Sequence, residues 1–165
     1  MTLAIFDLDN TLLGGDSDNL WGQFVCERGL VHAEDFAARN EQFYEDYKAG
    51  ALDIDAYLRF ALSTLVGHSR TELDAWHREY MDRHIRPLIG DKARQLVRQH
   101  LANGDLCAVV TATNSFVTRP IVNEFGIPHL IGTVAAVDVE NGTFSGSPRG
   151  TPSFRDGKIE RVESW

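Results

Sequence analysis

Two acidic residues at the end of an apolar run carry the clearest chemical signal in the sequence. Asp7 and Asp9 directly follow Leu3–Phe6, a run typical of a buried parallel strand. Because they are two residues apart, both side chains project to the same side of an extended backbone. Such carboxylates are costly to bury unless they bind a cation, accept hydrogen bonds or act in catalysis. The first could attack phosphorus to form an aspartyl-phosphate, and the second could exchange a proton with the leaving oxygen.

A hydroxyl and a lysine could complete a phosphate site. Thr111 ends a second apolar run at residues 106–110, and the backbone N–H groups of the helix predicted behind it could bind an anion. Lys158 begins the last predicted helix and would add a positive charge. Mg²⁺ would suit Asp7 and Asp9, because it needs few carboxylates and neutralises phosphate oxygens. Each feature also has a plain structural interpretation, as turn residues, a helix cap and a surface lysine.

These residues lie at the junctions of an alternating pattern of strands and helices. Strand, polar turn and helix follow one another twice, which predicts an α/β fold with a Rossmann-like parallel sheet. Ligands of such sheets bind beyond the carboxyl ends of the strands. Residues 1–15 and 87–165 are assigned to this core. Residues 16–86 contain four amphipathic helical patterns and are assigned to an inserted helical-bundle cap.

Local signals place several element boundaries. The fourth helical pattern opens with a capping-box sequence, Ser69 followed by Glu72. In the core, short strands are predicted over residues 129–131 and 134–139. The dipeptide Asn141-Gly142 then predicts a tight hairpin turn.

The order of these residues resembles the motifs of the haloacid dehalogenase-like (HAD) hydrolase superfamily. The segments that carry the resemblance are Phe6-Asp7-Leu8-Asp9-Asn10-Thr11-Leu12, Val109-Val110-Thr111-Ala112-Thr113 and Gly157-Lys158-Ile159-Glu160. The helical insertion resembles the cap of the phosphoserine-phosphatase-like branch, subfamily IB. The resemblance extends over the whole chain.

The resemblance implies a role for each matched residue. Asp7 would be the nucleophile and a metal ligand, and Asp9 would be the general acid and base, with its backbone carbonyl also meeting the metal. The expected phosphate-binding residues are Thr11, Thr111, Ala112 and Lys158. The implied activity is that of a Mg²⁺-dependent phosphomonoester phosphatase acting through phospho-Asp7.

Residues beyond the first motif and in the cap could recognise the rest of the substrate. In the family branch an acidic residue in this loop meets a substrate amine, and Asp16 and Asp18 both lie there; each could instead cap the next helix. Arg59 could bind a carboxylate or phosphate through two N–H groups, or be a solvated arginine with a buried stem. The expected substrate is a small phosphorylated metabolite resembling phosphoserine or histidinol phosphate. The alternatives are phosphotransfer to an alcohol and a catalytically inactive phosphate-binding module.

The sequence departs from the family pattern at its end. The family has a further acidic motif after the lysine-bearing helix, which completes the Mg²⁺ site, and no such motif precedes Trp165. We therefore expect either a truncated core or a metal site that lacks one carboxylate. The apolar stripe on the last helix has no predicted partner, which favours truncation.

Composition limits the classes of partner. The 165 residues include 24 acidic and 16 basic side chains, and a net charge of −8 provides no electrostatic footprint for nucleic acid or an anionic membrane. No apolar run approaches the ~20 residues of a membrane span. Cys26 and Cys107 match no redox or metal spacing, and the six histidines show no zinc pattern. These features predict a cytoplasmic protein and leave its oligomeric state open.

Overall fold

The chain folds into a four-stranded sheet with helices around it. The computed structural model describes residues 2–165. The strands are β1 (Leu3–Phe6), β2 (Leu106–Asn114), β3 (His129–Val137) and β4 (Phe144–Arg149). The helices are α1 (Ser17–Glu27), α2 (Ala33–Lys48), α3 (Ile54–Ser63), α4 (Arg70–Tyr80), α5 (Asp91–Ala102), α6 (Ser115–Glu124) and α7 (Asp156–Ser164). A π-helical turn (Met81–Ile85) and a 3-10 turn (Arg86–Leu88) follow α4. The predicted α/β class is confirmed.

The strands are arranged in the sheet in their order along the chain. β1 pairs with β2, and β2 with β3, in parallel, whereas β4 runs antiparallel to β3. In the β1–β2 register Phe6 lies opposite Val109. The carboxyl ends of β1 and β2 therefore meet at one edge of the sheet, which brings Asp7 and Thr111 to the same side of the molecule.

The β3–β4 hairpin partly matches its prediction. Its turn contains Gly142 at a φ of 72°, a conformation that favours glycine, as the Asn-Gly signal indicated. The prediction of two short strands was wrong, because β3 continues through Gly132 and Thr133, where Thr133 still pairs with Asn114 of β2. β4 was not predicted at all; Pro148 within it interrupts the usual strand pattern.

Two of the helices between β1 and β2 begin at side-chain caps, one of which the sequence indicated. The Asp53 side chain accepts a hydrogen bond from the Ala56 N–H at 3.1 Å at the start of α3. The capping box of Ser69 and Glu72 is present at the start of α4. Within residues 2–165 no helix is both long and apolar enough to cross a membrane.

One aromatic cluster joins these helices to the sheet side of the molecule. Trp21 of α1 is buried, stacks on His77 of α4 and meets Phe116 of α6 edge-on. The His77 Nε2–H donates to the Val117 carbonyl oxygen at 2.8 Å. The helical segment and the sheet thus share one hydrophobic core. The boundaries of a separate cap at residues 16 and 86 stay a prediction.

Candidate active site

An ion pair connects the first strand to the last helix. Asp7 follows β1 directly, and Lys158 lies in the first turn of α7. The Lys158 Nζ is 3.4 Å from Asp7 Oδ1, and the two side chains remain 36% and 51% exposed. A carboxylate that is open to solvent and balanced by a neighbouring cation can approach an anionic electrophile without net repulsion.

The second carboxylate is held by four hydrogen-bond donors. Asp9 Oδ1 accepts from the Ser17 backbone N–H at 2.7 Å and from the Ser17 hydroxyl at 2.6 Å. Asp9 Oδ2 accepts from the hydroxyls of Thr113 at 3.0 Å and Thr111 at 3.3 Å. One oxygen is therefore bound to the first turn of α1 and the other to the end of β2, which fixes the direction of the carboxyl group.

A bulge in β2 produces this arrangement of threonines. Between two paired positions β2 advances four residues, from Val110 to Asn114, while β3 advances two, from Ile131 to Thr133. The extra residues turn both Thr111 and Thr113 towards Asp9. A Cβ on Gly132 would lie only 3.0 Å from the Thr113 carbonyl oxygen, so glycine lets the neighbouring strand approach the bulge closely.

The bulge is tied to the loop that precedes Lys158. The buried Thr133 hydroxyl donates to the Ala112 carbonyl oxygen at 2.9 Å, and the Thr133 Oγ1 in turn accepts from the Ser153 backbone N–H at 3.0 Å. The Asn114 side chain caps α6 by accepting from the Val117 N–H at 3.1 Å. The phosphate-binding candidates Thr111 and Ala112 thus lie in β2 three and two residues before Asn114, the N-cap of α6, whose first backbone N–H groups favour an anion.

Three predicted substrate-binding residues have different surroundings. Asp16 caps α1 by accepting from the Asn19 N–H at 2.9 Å, so the structural alternative raised for this residue is realised. Asp18, which is partly buried, accepts from the Tyr57 hydroxyl at 2.5 Å. Arg59 is exposed and, within residues 2–165, forms no hydrogen bond or ion pair through its side chain.

The surroundings of Asp18 change its acidity. Loss of hydration raises the pKa of Asp18 from 3.8 to about 7, and repulsion from the Asp16 and Asp9 carboxylates adds to the rise. The hydrogen bond from Tyr57 opposes this rise in pKa. Asp9, Asp16 and Asp18 therefore form an acidic region at the start of α1.

Sequence reasoning did not assign Ser17, Thr113 or Thr133. Thr113 lies two residues after Thr111, and the period of a strand would have placed both hydroxyls on one side. The contact of Ser17 with Asp9 arises from the turn between β1 and α1, in which Asn10 adopts a φ of 57°. Thr133 has no local signal, because its contact with Ala112 depends on strand pairing. Thr11 lies exposed in the turn after β1.

Comparison with known proteins agrees with this geometry. A family model described as haloacid dehalogenase-like hydrolase matches residues 4–165. The chain belongs to this family. The HAD-like chain is 45% identical over 163 residues to a histidinol-phosphatase of Neisseria meningitidis serogroup C, covering 99% of this chain and 73% of that protein. It is 32% identical over 164 residues to phosphoserine phosphatase SerB1 of Mycobacterium tuberculosis, covering 98% of this chain and 53% of that protein.

Solved structures show the same HAD-like fold. A protein of unknown function from Bordetella pertussis Tohama I superposes with a TM-score of 0.92 at 46% identity, covering all of this chain and 74% of that chain. A substrate-bound phosphoserine phosphatase superposes with a TM-score of 0.65 at 18% identity, covering 99% of this chain and 69% of that chain. The predicted superfamily and its phosphoserine-phosphatase-like branch are confirmed.

The donor set of this HAD-like site is compatible with Mg²⁺. Within residues 2–165 no three His, Cys, Asp or Glu side chains are grouped to hold a metal by themselves. Lys158 is the hydrogen-bond partner of the Asp7 carboxylate, which leaves acceptor capacity on Asp7, whereas four donors occupy the Asp9 carboxylate. Mg²⁺ keeps several waters and uses few carboxylates with phosphate oxygens, so the Asp7 side chain and the Asp9 backbone carbonyl suit it.

Proposed function

We propose that this HAD-like chain is a phosphatase that hydrolyses small phosphoric monoesters through a phospho-Asp7 intermediate. The observation that carries the proposal is the Asp7 carboxylate, open to solvent at the end of β1, with Lys158 Nζ 3.4 Å away. An Asp7 oxygen attacks phosphorus as the bond to the ester oxygen breaks. Asp9 protonates the departing oxygen and then takes a proton from the water that hydrolyses the aspartyl-phosphate.

Other residues stabilise the charge that moves during these steps. The Thr111 hydroxyl and the N–H groups at the start of α6 donate to phosphoryl oxygens, with Thr11 and Ala112 beside them. Lys158 balances the charge of Asp7 and the phosphoryl group. Mg²⁺, held by Asp7 and the Asp9 carbonyl, would neutralise the phosphate when bound.

The acidic region near Asp9 supports a substrate with a cationic end. Alongside the larger effect of lost hydration, repulsion from Asp9 raises the pKa of both Asp16 and Asp18, which supports a location near the proposed general acid. Histidinol phosphate has an amine and an imidazole but no carboxylate, so it suits this region. Phosphoserine would bring a carboxylate towards these acids, and the cation proposed to meet it, Arg59, is exposed. Identity to the histidinol-phosphatase, at 45%, also exceeds the 32% identity to the phosphoserine phosphatase.

The proposal is tested by phosphate release from histidinol phosphate, phosphoserine and para-nitrophenyl phosphate with Mg²⁺. We expect turnover of histidinol phosphate above phosphoserine, and loss of at least ~10³-fold in Asp7→Asn, because the amide is not a nucleophile. Asp55→Asn, on an exposed carboxylate of α3, is the matched control and should retain full activity. Activity retained in Asp7→Asn would rule out the aspartyl-phosphate. Formation of phosphorylated glycerol when glycerol is added would indicate phosphotransfer. Binding of the phosphate ester without turnover would indicate an inactive phosphate-binding module.

A further inference from the structure

One of the hydroxyls that donate to the Asp9 carboxylate, that of Thr113, has no other role in the proposed reaction. Thr113 is 8% exposed, and its hydroxyl donates to Asp9 Oδ2 at 3.0 Å, a shorter contact than the 3.3 Å from Thr111. The other carboxylate oxygen is held by Ser17 at the start of α1. Thr113 therefore forms the stronger link between the general acid and the sheet.

Phosphate binding would leave Thr113 as the remaining hydroxyl on that oxygen. In the proposed function Thr111 directs its hydroxyl proton to a phosphoryl oxygen, which ends its donation to Asp9. The Thr113 backbone N–H donates to Thr111 Oγ1 at 3.2 Å, so Thr113 also helps to orient the Thr111 hydroxyl. One residue thus contacts both the phosphate-binding hydroxyl and the proton-transferring carboxyl group.

We propose that Thr113 is a positioning residue that aims the Asp9 carboxyl group at the leaving oxygen of the substrate. This inference rests on the proposed function. As the bond from phosphorus to the ester oxygen breaks, the Asp9 proton passes to that oxygen. The Thr113 hydroxyl keeps its own proton and determines where the Asp9 carboxyl group points.

Comparison of two leaving groups isolates this role. An alkyl alcohol needs a proton as it departs, whereas para-nitrophenolate departs readily without one. Because hydrolysis of phospho-Asp7 is common to both substrates, the comparison uses kcat/KM, which reports the steps up to departure of the alcohol. We expect Thr113→Val to lower kcat/KM for histidinol phosphate by about 10–100-fold and kcat/KM for para-nitrophenyl phosphate by less than about 3-fold. Thr113→Ser retains a hydroxyl and should restore most of the activity on histidinol phosphate. Asp9→Asn should show the same split between substrates, more strongly.

A matched control removes an equivalent hydroxyl outside the site. Thr118 is also buried, and its hydroxyl donates to the carbonyl oxygen of Asn114, the N-cap of α6, at 2.9 Å. Thr118→Val should therefore leave the ratio of the two kcat/KM values unchanged. If Thr113→Val does not fold, Thr113→Ala with thermal unfolding recorded beside kcat/KM provides the same comparison.

The outcomes separate the inference from the proposed function. An equal loss on both substrates in Thr113→Val, or no loss on either, overturns the positioning role. Failure of Asp9→Asn to show the split removes Asp9 as the acid and overturns the inference with it. Activity retained in Asp7→Asn instead overturns the proposed function itself.

Discussion

Lys158 Nζ lies 3.4 Å from Asp7 Oδ1, although 151 positions separate the two residues in the sequence. The contact is made because α7 starts beside the carboxyl end of β1. Both side chains are at least a third exposed, so the pair contributes no more than about 1 kcal/mol to stability. The ion pair matters instead for the proposed reaction, because it holds a cation beside the proposed nucleophile.

Lys158→Met should therefore separate activity from stability. We expect kcat/KM for phosphate esters to fall by about 10²–10³-fold, because a charge-stabilising donor is lost from the site. The free energy of unfolding should change by less than ~1 kcal/mol. Lys92→Met, on the exposed surface of α5, serves as the matched control for loss of a lysine. Full activity in Lys158→Met would remove this lysine from the mechanism.

Gly157 sets the position of Lys158. A Cβ at Gly157 would lie 2.1 Å from the Pro152 carbonyl oxygen. This is a steric clash, and the backbone would have to move to remove it. Gly157→Ala should displace the start of α7 and lower kcat/KM by at least ~10-fold, because small displacements of catalytic groups are costly. Gly90→Ala is the control, since Gly90 has a φ of −79° and open space at the Cβ position. Equal activities of the two variants would contradict this prediction.

Thr133 should be needed for phosphate binding as well as for stability. Thr133→Val leaves the Ala112 carbonyl oxygen and the Ser153 N–H without their partner, which should destabilise the fold by about 2–4 kcal/mol. The relaxed bulge should also weaken inhibition by inorganic phosphate, measured alongside urea unfolding. Thr133→Ser keeps the hydroxyl and should preserve both properties. Unchanged phosphate inhibition in a folded Thr133→Val would contradict the link between the bulge and phosphate.

Asp18 should make stability depend on pH. Its pKa of about 7 in the fold exceeds the ordinary 3.8, so between these values the folded chain binds more protons than the unfolded chain. The contribution of Asp18 to the free energy of unfolding therefore falls as pH rises from about 4 to 7 and is constant above that range. Because the side chain is partly exposed, the expected change is roughly 1–3 kcal/mol.

Asp18→Asn provides the direct measurement for this pH effect. The amide stays neutral and its oxygen can still accept from the Tyr57 hydroxyl, so the variant should exceed the parent in stability at pH 8 and match it near pH 4. Urea unfolding at both pH values measures the difference. If the parent were still less stable than Asp18→Asn near pH 4, the Asp18 carboxyl group would already be ionised at that pH, which would contradict the prediction.

The sequence by itself determined the features that depend on neighbouring residues. The strand-end carboxylates Asp7 and Asp9, the Ser69 capping box and the turn at Gly142 all follow from local chemistry and periodicity, and the structure contains each of them. Their local geometry is set by interactions within a few residues. Matching these local patterns to the family motifs was therefore enough to find the end of the sheet where the site lies.

Only the tertiary structure decided which groups surround the two carboxylates. The hydroxyls of Thr113 and Thr133 take part through a bulge that exists because β2 and β3 pair out of step. The high pKa of Asp18 likewise arises where α1 packs near Tyr57 of α3. The period of a strand sets only the side on which Thr111 and Thr113 lie, whereas strand pairing and burial decide which distant residues they meet.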